Sequence, residues 1–286
     1  MSLNVKSLFD QSLQFLKEHH SNYEKGEAEA ALYWLLEHFF GLSKTDVLAN
    51  KSFFYEDHQH VYEQSLQRLV MQEPIQYIIG EAYFYGRKFN VSPDVLIPRP
   101  ETEELVAWLL TNTPVDKPLR ILDVGTGSGC IAITLAKYLP KAQVYALDVS
   151  AKALQITEEN ARSHQVTLVL VETDILHTDF SEQDFDVIVS NPPYVAEAEK
   201  AAMDDNVLEY EPHLALFVPD DKALVFYEAI AQFAKVHLRK GGALYFELNA
   251  RFAKETEALM KEIGFQSVQI KEDMQGKQRF LKAQKP

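Results

Sequence analysis

The chain carries a single cysteine, Cys130, in 286 residues. That excludes an internal disulfide and fits a reducing compartment. Basic residues are scarce: 28 Lys and Arg against 42 Asp and Glu leave a net charge of −14. Proteins that clamp duplex DNA by its phosphates need a basic surface, so a direct duplex partner is not expected. No apolar run approaches the ~20 residues of a bilayer-crossing helix. The most apolar stretch, Ala30–Leu42, is interrupted by Glu37 and His38. Met1–Lys6 leads into a polar amphipathic stretch, not into the apolar core of a signal peptide. Internal repeats and low-complexity segments are also missing. The expectation is a cytoplasmic chain of about two domains, monomeric and without a membrane partner.

What is present divides by periodicity. Phe9, Leu13 and Leu16, then Ala31, Trp34, Leu35, His38 and Phe39, follow helical spacing. Gly41 is a stop, Ser43 a cap for a short next helix, and a further helix spans about Glu56 to Met71. The first eighty residues therefore read as a small all-α bundle suited to contacting a partner. Asp57-His58-Gln59-His60 resembles a metal motif, but histidines two apart on a helix face different directions; no metal is expected. Ala82–Tyr85 and Lys88–Val91, split by Gly86-Arg87, read as a β-hairpin. Pro100 then opens a helix running to about Leu110, with acids in its first turn.

From Leu119 strands and helices alternate: 120–124, 131–138, 143–148, 151–163, 167–172 and 186–190. A helix over 222–238, a strand over 243–248, a helix over 251–263 and a closing pair, 267–270 and 279–282, complete the pattern. The tail Lys282–Pro286 reads as a frayed end. Strand–helix alternation means a parallel α/β sheet with helices on both faces. The expected domains are 1–79 (helical, substrate recognition), 80–98 (hairpin linker, with a hinge near Gly80) and 99–286 (the α/β domain).

Gly125-Thr126-Gly127-Ser128-Gly129 ends the first of these strands and opens a helix. Glycines there let backbone approach a ligand, and free helix N–H groups point at it. Dinucleotide and S-adenosylmethionine (SAM) sites share this device. Asp148 ends the next strand, where an acid can accept ribose hydroxyls. Asp174 follows the third, placed for an exocyclic amine, and Ile175 would cover an adenine ring. Three such pieces at the carboxyl ends of successive strands point to a SAM site. Cys130 reads as a small packing residue without the basic neighbours of a reactive thiolate.

The fourth strand delivers Asn191-Pro192-Pro193-Tyr194 to the same edge. An Asn oxygen and a proline-flanked carbonyl can accept the two hydrogens of a planar NH2 group while leaving its lone pair free. Pro193 fixes its own φ and biases Pro192 to an extended conformation. Tyr194 offers a flat face. Asn191 is counted both with this grip and with the cofactor contacts.

Together these residues resemble the release factor glutamine methyltransferases, a family of class I SAM-dependent methyltransferases. The likeness covers nearly the whole chain: Pro74–Gly80, Leu96–Glu103, Asp123–Gly129, Asp148, Asn191–Tyr194, Glu211-Pro212, Ala215-Leu216, and Asp273, Gly276 and Arg279. It implies a Rossmann-like methyltransferase sheet behind the helical bundle and hairpin. Gly125–Gly129 would contact the methionine end of SAM, Asp148 the ribose and Ile175 the adenine, and Asn191–Tyr194 would hold a glutamine amide. The implied partner is a peptide chain release factor, methylated at the glutamine side-chain nitrogen. Glu247–Ala250 departs from the family's usual Glu-Ile-Gly run, and Pro219–Ala223 lacks glycines common there; both departures are expected outside the chemical centre. The rivals are a glutamine methyltransferase for a ribosomal protein and a DNA adenine-N6 methyltransferase. A non-catalytic SAM binder would have no use for the amide grip. A dehydrogenase would need hydride-transfer partners that are missing.

Overall fold

The computed structural model describes residues 2–19, 25–55 and 58–286. Contacts divide the chain into two compact units: one comprises Met1–Gly80 with Asp204–Tyr210, the other Glu81–Met203 with Glu211–Pro286.

In the first unit, helices Val5–His19, Lys25–Phe40 and Gln59–Val70 bury Leu16, Leu32, Leu35, Leu36, Tyr62 and Leu69 in one core. Ser43 caps Lys44–Leu48 through a box with Asp46, satisfying helix N–H groups that would otherwise lack partners. Tyr62 is fully buried, and its hydroxyl lies 2.9 Å from the Ser12 hydroxyl. An all-helical reading misses one feature: Ser2–Asn4 and Ser52–Phe54 pair as antiparallel strands. Three-residue strands are too short to show an alternating pattern. Glu56 and Asp57, the expected start of the third long helix and part of the histidine motif, lie outside the described residues. Among the described residues no three His, Cys, Asp or Glu side chains converge as metal ligands. None of the described helices is long and apolar enough to cross a membrane.

The second unit is built on seven strands: β1 Arg120–Val124, β2 Gln143–Asp148, β3 Val169–Glu172, β4 Phe185–Ser190, β5 Leu238–Glu247, β6 Gln266–Glu272 and β7 Gln278–Gln284. Their order across the sheet is β6-β7-β5-β4-β1-β2-β3. All neighbours are parallel except those of β7, which runs antiparallel to β5 and β6. Alternate side chains of the central strands enter opposite cores, as the period of two demands. Leu122, Tyr145, Ile188, Leu244 and Phe246 pack with helices Val225–His237 and Ala253–Ile263. Ile121, Val144, Val187, Val189 and Tyr245 pack with helices Pro100–Thr111 and Cys130–Tyr138. Burial on both faces explains why these strands read as continuous apolar runs.

The hairpin Glu81–Phe84 and Arg87–Asn90 sends Phe84 and Phe89 into that second core. Asn160 locks its end: Oδ1 accepts from Asn90 N–H at 2.7 Å, and Nδ2 donates to Asn90 and Ser128 carbonyls, each at 2.9 Å. The C-terminal expectation is corrected. Residues 282–284 are not frayed but complete β7, with Ala283 fully buried, and backbone bonds link Lys285 to Gly241 and Gly242. Pairing on both sides of β7 overrides the polar character of Lys282 and Gln284.

Candidate functional site

In an open α/β sheet ligands bind beyond the carboxyl ends of the strands where their order reverses. Here that point lies between β1 and β4, which are neighbours although two strands separate them in sequence. A cavity of about 300 Å³ opens at that position. Gly125, Thr126 and Gly127 reach it from the end of β1, Asp148 from β2, Asp174 and Ile175 from beyond β3, and Asn191, Pro192 and Pro193 from β4. Ser128, Gly129 and Tyr194, also expected at the site, do not line it; Ser128 is buried behind the glycine turn.

The turn is shaped by two carboxylates. Asp123 Oδ2 accepts from the Thr126 hydroxyl at 2.7 Å and from Ala132 N–H at 3.2 Å. Its other oxygen has no hydrogen-bond partner among the described residues. Burial pushes this carboxyl up to about 7 against those two hydrogen bonds. Asp148 accepts Gly127 N–H on one oxygen and Ser150 N–H on the other, both at 2.9 Å. Burial also raises its affinity for a proton, opposed by these backbone bonds. Gly125 and Gly127 have φ of +74° and +54°, and a Cβ at either would meet only open space. The bare backbone therefore faces the cavity.

Asp174 is engaged locally: its oxygens accept Leu176 N–H at 2.9 Å and meet His177 Nδ1 at 2.8 Å. The His177 bond holds it below the usual carboxylate range. Cys130 lines the cavity, but burial pushes its thiol up to about 12, so it is no thiolate.

At the β4 end, Asn191 Nδ2 donates to Thr102 Oγ1 at 3.2 Å, and Thr102 Oγ1 donates to Glu247 Oε2 at 2.7 Å. Tyr194 turns its hydroxyl away from the cavity and donates to Glu247 Oε1 at 3.1 Å. Glu247 is 1% exposed. Burial raises its affinity for a proton, while the two hydroxyl donors and the charge of Arg279 oppose that rise. Arg279 in turn binds Asp273 at 3.3 Å and the Leu248 carbonyl at 3.3 Å.

The 247–250 run lies outside the cavity lining, as expected, but it holds the β4 loop from behind. Asn249 Nδ2 donates to the Tyr194 carbonyl and to Glu199 Oε2, each at 3.0 Å. Glu247 itself holds the Tyr194 and Thr102 hydroxyls. β5 runs beside β4 in the sheet, so its end meets the β4 loop.

Sequence reasoning missed Thr102 and Arg99 as residues of the cavity wall. Arg99 Nη2 bonds Glu211 Oε1 at 2.5 Å, and Glu211 is almost wholly buried. The available signal was that Arg99, Thr102 and Glu211 all fall within the motifs Leu96–Glu103 and Glu211-Pro212.

The sheet order with a glycine turn after β1 and an acid after β2 defines a class I methyltransferase fold. A solved methyltransferase from Pyrococcus furiosus shares that fold with a TM-score of 0.52 at 18% identity, covering 81% of this chain and 99% of its own. Family models described as PrmC N-terminal domain and Methyltransferase small domain match residues 7–80 and 103–211. A release factor glutamine methyltransferase of Flavobacterium psychrophilum is 45% identical over 273 residues, 94% of this chain and 96% of that protein. One from Bacteroides thetaiotaomicron is 46% identical over 226 residues, 79% of this chain and 81% of its own. The chain belongs to the release factor glutamine methyltransferase family.

Proposed function

We propose that this protein transfers a methyl group from SAM to the side-chain amide nitrogen of a glutamine in a peptide chain release factor. The observation that carries the reading is the shared cavity: the β1 glycine turn and Asp148 line it together with Asn191 and Pro192. The residues fit the cofactor. Open space over Gly125 and Gly127 suits close approach of a ligand to backbone. The cavity size falls at the low end of small-molecule sites. Gly125, Thr126 and Gly127 would hold the methionine end, Asp148 the ribose, and Ile175 the adenine. Ser128 and Gly129 act from behind, by shaping the turn.

When bound, SAM supplies a methyl carbon activated by a positively charged sulfur. The protein's part is to make a carboxamide nitrogen, inert through resonance, into a nucleophile. Asn191 Oδ1 and the Pro192 carbonyl accept its two hydrogens and leave the lone pair free. Both acceptors stabilise the positive charge that gathers on nitrogen as the bond forms, an interaction stronger in the transition state than before it. Holding the amide in line supplies much of the rest. No strong general base is needed, because the N-alkylated, protonated amide is acidic enough to release its proton to water. Tyr194 acts as a half-buried anchor of the loop, with its hydroxyl on Glu247. The helical region 1–79 serves recognition of the protein substrate.

The test offers isotopically labelled SAM together with release factor, ribosomal proteins and duplex DNA. Label on one glutamine of the release factor, located by mass spectrometry, is the expected result. Label confined to a ribosomal protein or to adenine overturns the reading.

A further inference from the structure

We propose that Thr102 and Glu247 are positioning residues which set which end of the Asn191 carboxamide faces the cavity. The inference rests on the role given to Asn191 above and explains how that role is enforced. The two ends of a carboxamide have nearly the same shape, and packing alone hardly distinguishes them. A half-turn about the last bond exchanges an acceptor for a donor. Asn191 is useful to a substrate N–H only with its oxygen outward.

Three hydrogen-bonding groups in series make that choice. Glu247, as a carboxylate, can only accept. Its Oε2 lies 2.7 Å from Thr102 Oγ1, and the hydroxyl has a single hydrogen to give. That hydrogen is committed to Glu247, so Thr102 can meet Asn191 only as an acceptor. The group 3.2 Å away is therefore the Asn191 NH2, and Oδ1 is the end left for a ligand. The carboxylate at the far end fixes the direction of the whole series. Thr102 and Glu247 are 3% and 1% exposed, so water does not compete for the bond between them. The second oxygen of Glu247 is held by the Tyr194 hydroxyl. One carboxylate thus sets both the first and the last residue of Asn191–Tyr194. The partners are far apart in sequence, Thr102 on the helix opened by Pro100 and Glu247 at the end of β5.

Replacing Glu247 by glutamine keeps the shape and removes the direction. A glutamine NH2 can donate to Thr102, whose hydrogen is then free for Asn191 Oδ1, and the carboxamide turns its NH2 to the substrate. Replacing Thr102 by valine removes the middle group at nearly constant volume, and serine keeps it.

The experiment measures turnover on a release-factor glutamine peptide and SAM affinity by calorimetry. The variants are Thr102→Val, Thr102→Ser, Glu247→Gln, and Thr102→Val combined with Asn191→Ala. Expected are losses in kcat of at least about tenfold for Thr102→Val and Glu247→Gln, the scale of one hydrogen bond to a developing charge. Their SAM Kd should stay within about threefold of wild type, which also certifies folding, and Thr102→Ser should recover most of the turnover. On the Asn191→Ala background Thr102→Val should cost little more, because residues in one network are not additive. Normal turnover by Thr102→Val or by Glu247→Gln overturns the proposal. So does a loss that serine does not recover, one that persists in full without the Asn191 carboxamide, or one matched by lost SAM binding. Wild-type protein that leaves the glutamine unmethylated strikes instead at the function on which the proposal stands.

Discussion

A Cβ placed on Gly129 would come within 2.8 Å of Thr157 Cγ2. Thr157 is fully buried and donates its hydroxyl to the Gly127 carbonyl at 2.8 Å, so it cannot retreat without releasing the turn. Gly129 also has φ of +79°, which costs a residue with a side chain about 1–2 kcal/mol. Overpacking adds roughly 1–3 kcal/mol. Gly129→Ala should therefore destabilise the α/β unit by about 2–5 kcal/mol. Gly125→Ala, with open space above it, should pay only the backbone term and lose SAM affinity instead. Thermal melts and SAM calorimetry on the two variants separate these effects; equal melting temperatures would contradict the assignment.

Asn191→Ala should leave SAM affinity within a few-fold of wild type and cut turnover by on the order of a hundredfold or more, as when a positioned hydrogen-bonding group is removed from a transition state. Steady-state kinetics on a release-factor peptide check this. Unchanged kcat would remove Asn191 from the chemistry.

Asp123 gives the fold a defined pH dependence. Its carboxyl is pushed up to about 7 by burial, whereas in the unfolded chain it titrates near about 3.9. The folded state therefore holds this proton more tightly. The stabilisation is complete below the unfolded value and is lost as pH rises through about 7. Asp123 should thus lower stability between pH 4 and pH 7 by on the order of a few kcal/mol. Asp123→Asn should flatten that slope. Urea unfolding at pH 5 and pH 8 provides the measurement, and identical slopes in variant and wild type would refute it.

Local patterns made most of the α/β unit legible. Arg120–Val124 and Gln143–Asp148 are recognisable at their observed bounds because strands buried on both faces have abrupt apolar limits. The glycine turn, Asp148 and Asn191 were legible as one site because sheet topology gathers strand ends. Lys282–Gln284 misled because polar residues alternating along a strand look like a frayed end when its two neighbours are unknown. Val195–Ala196 and Phe217–Val218 pair as two-residue strands, too short for any periodicity to mark. Thr102 and Glu247 were hidden for another reason. A hydrogen bond between side chains 145 residues apart leaves no trace in local spacing.

The placement of β7 governs how the sheet can be assembled. β6 touches the sheet only through β7, which is wedged between it and β5. Until residues 278–284 have been synthesised, the long β5 edge stays uncovered and β6 has nowhere to dock. Nascent chains are then most exposed to edge-to-edge association in the interval before β7 pairs.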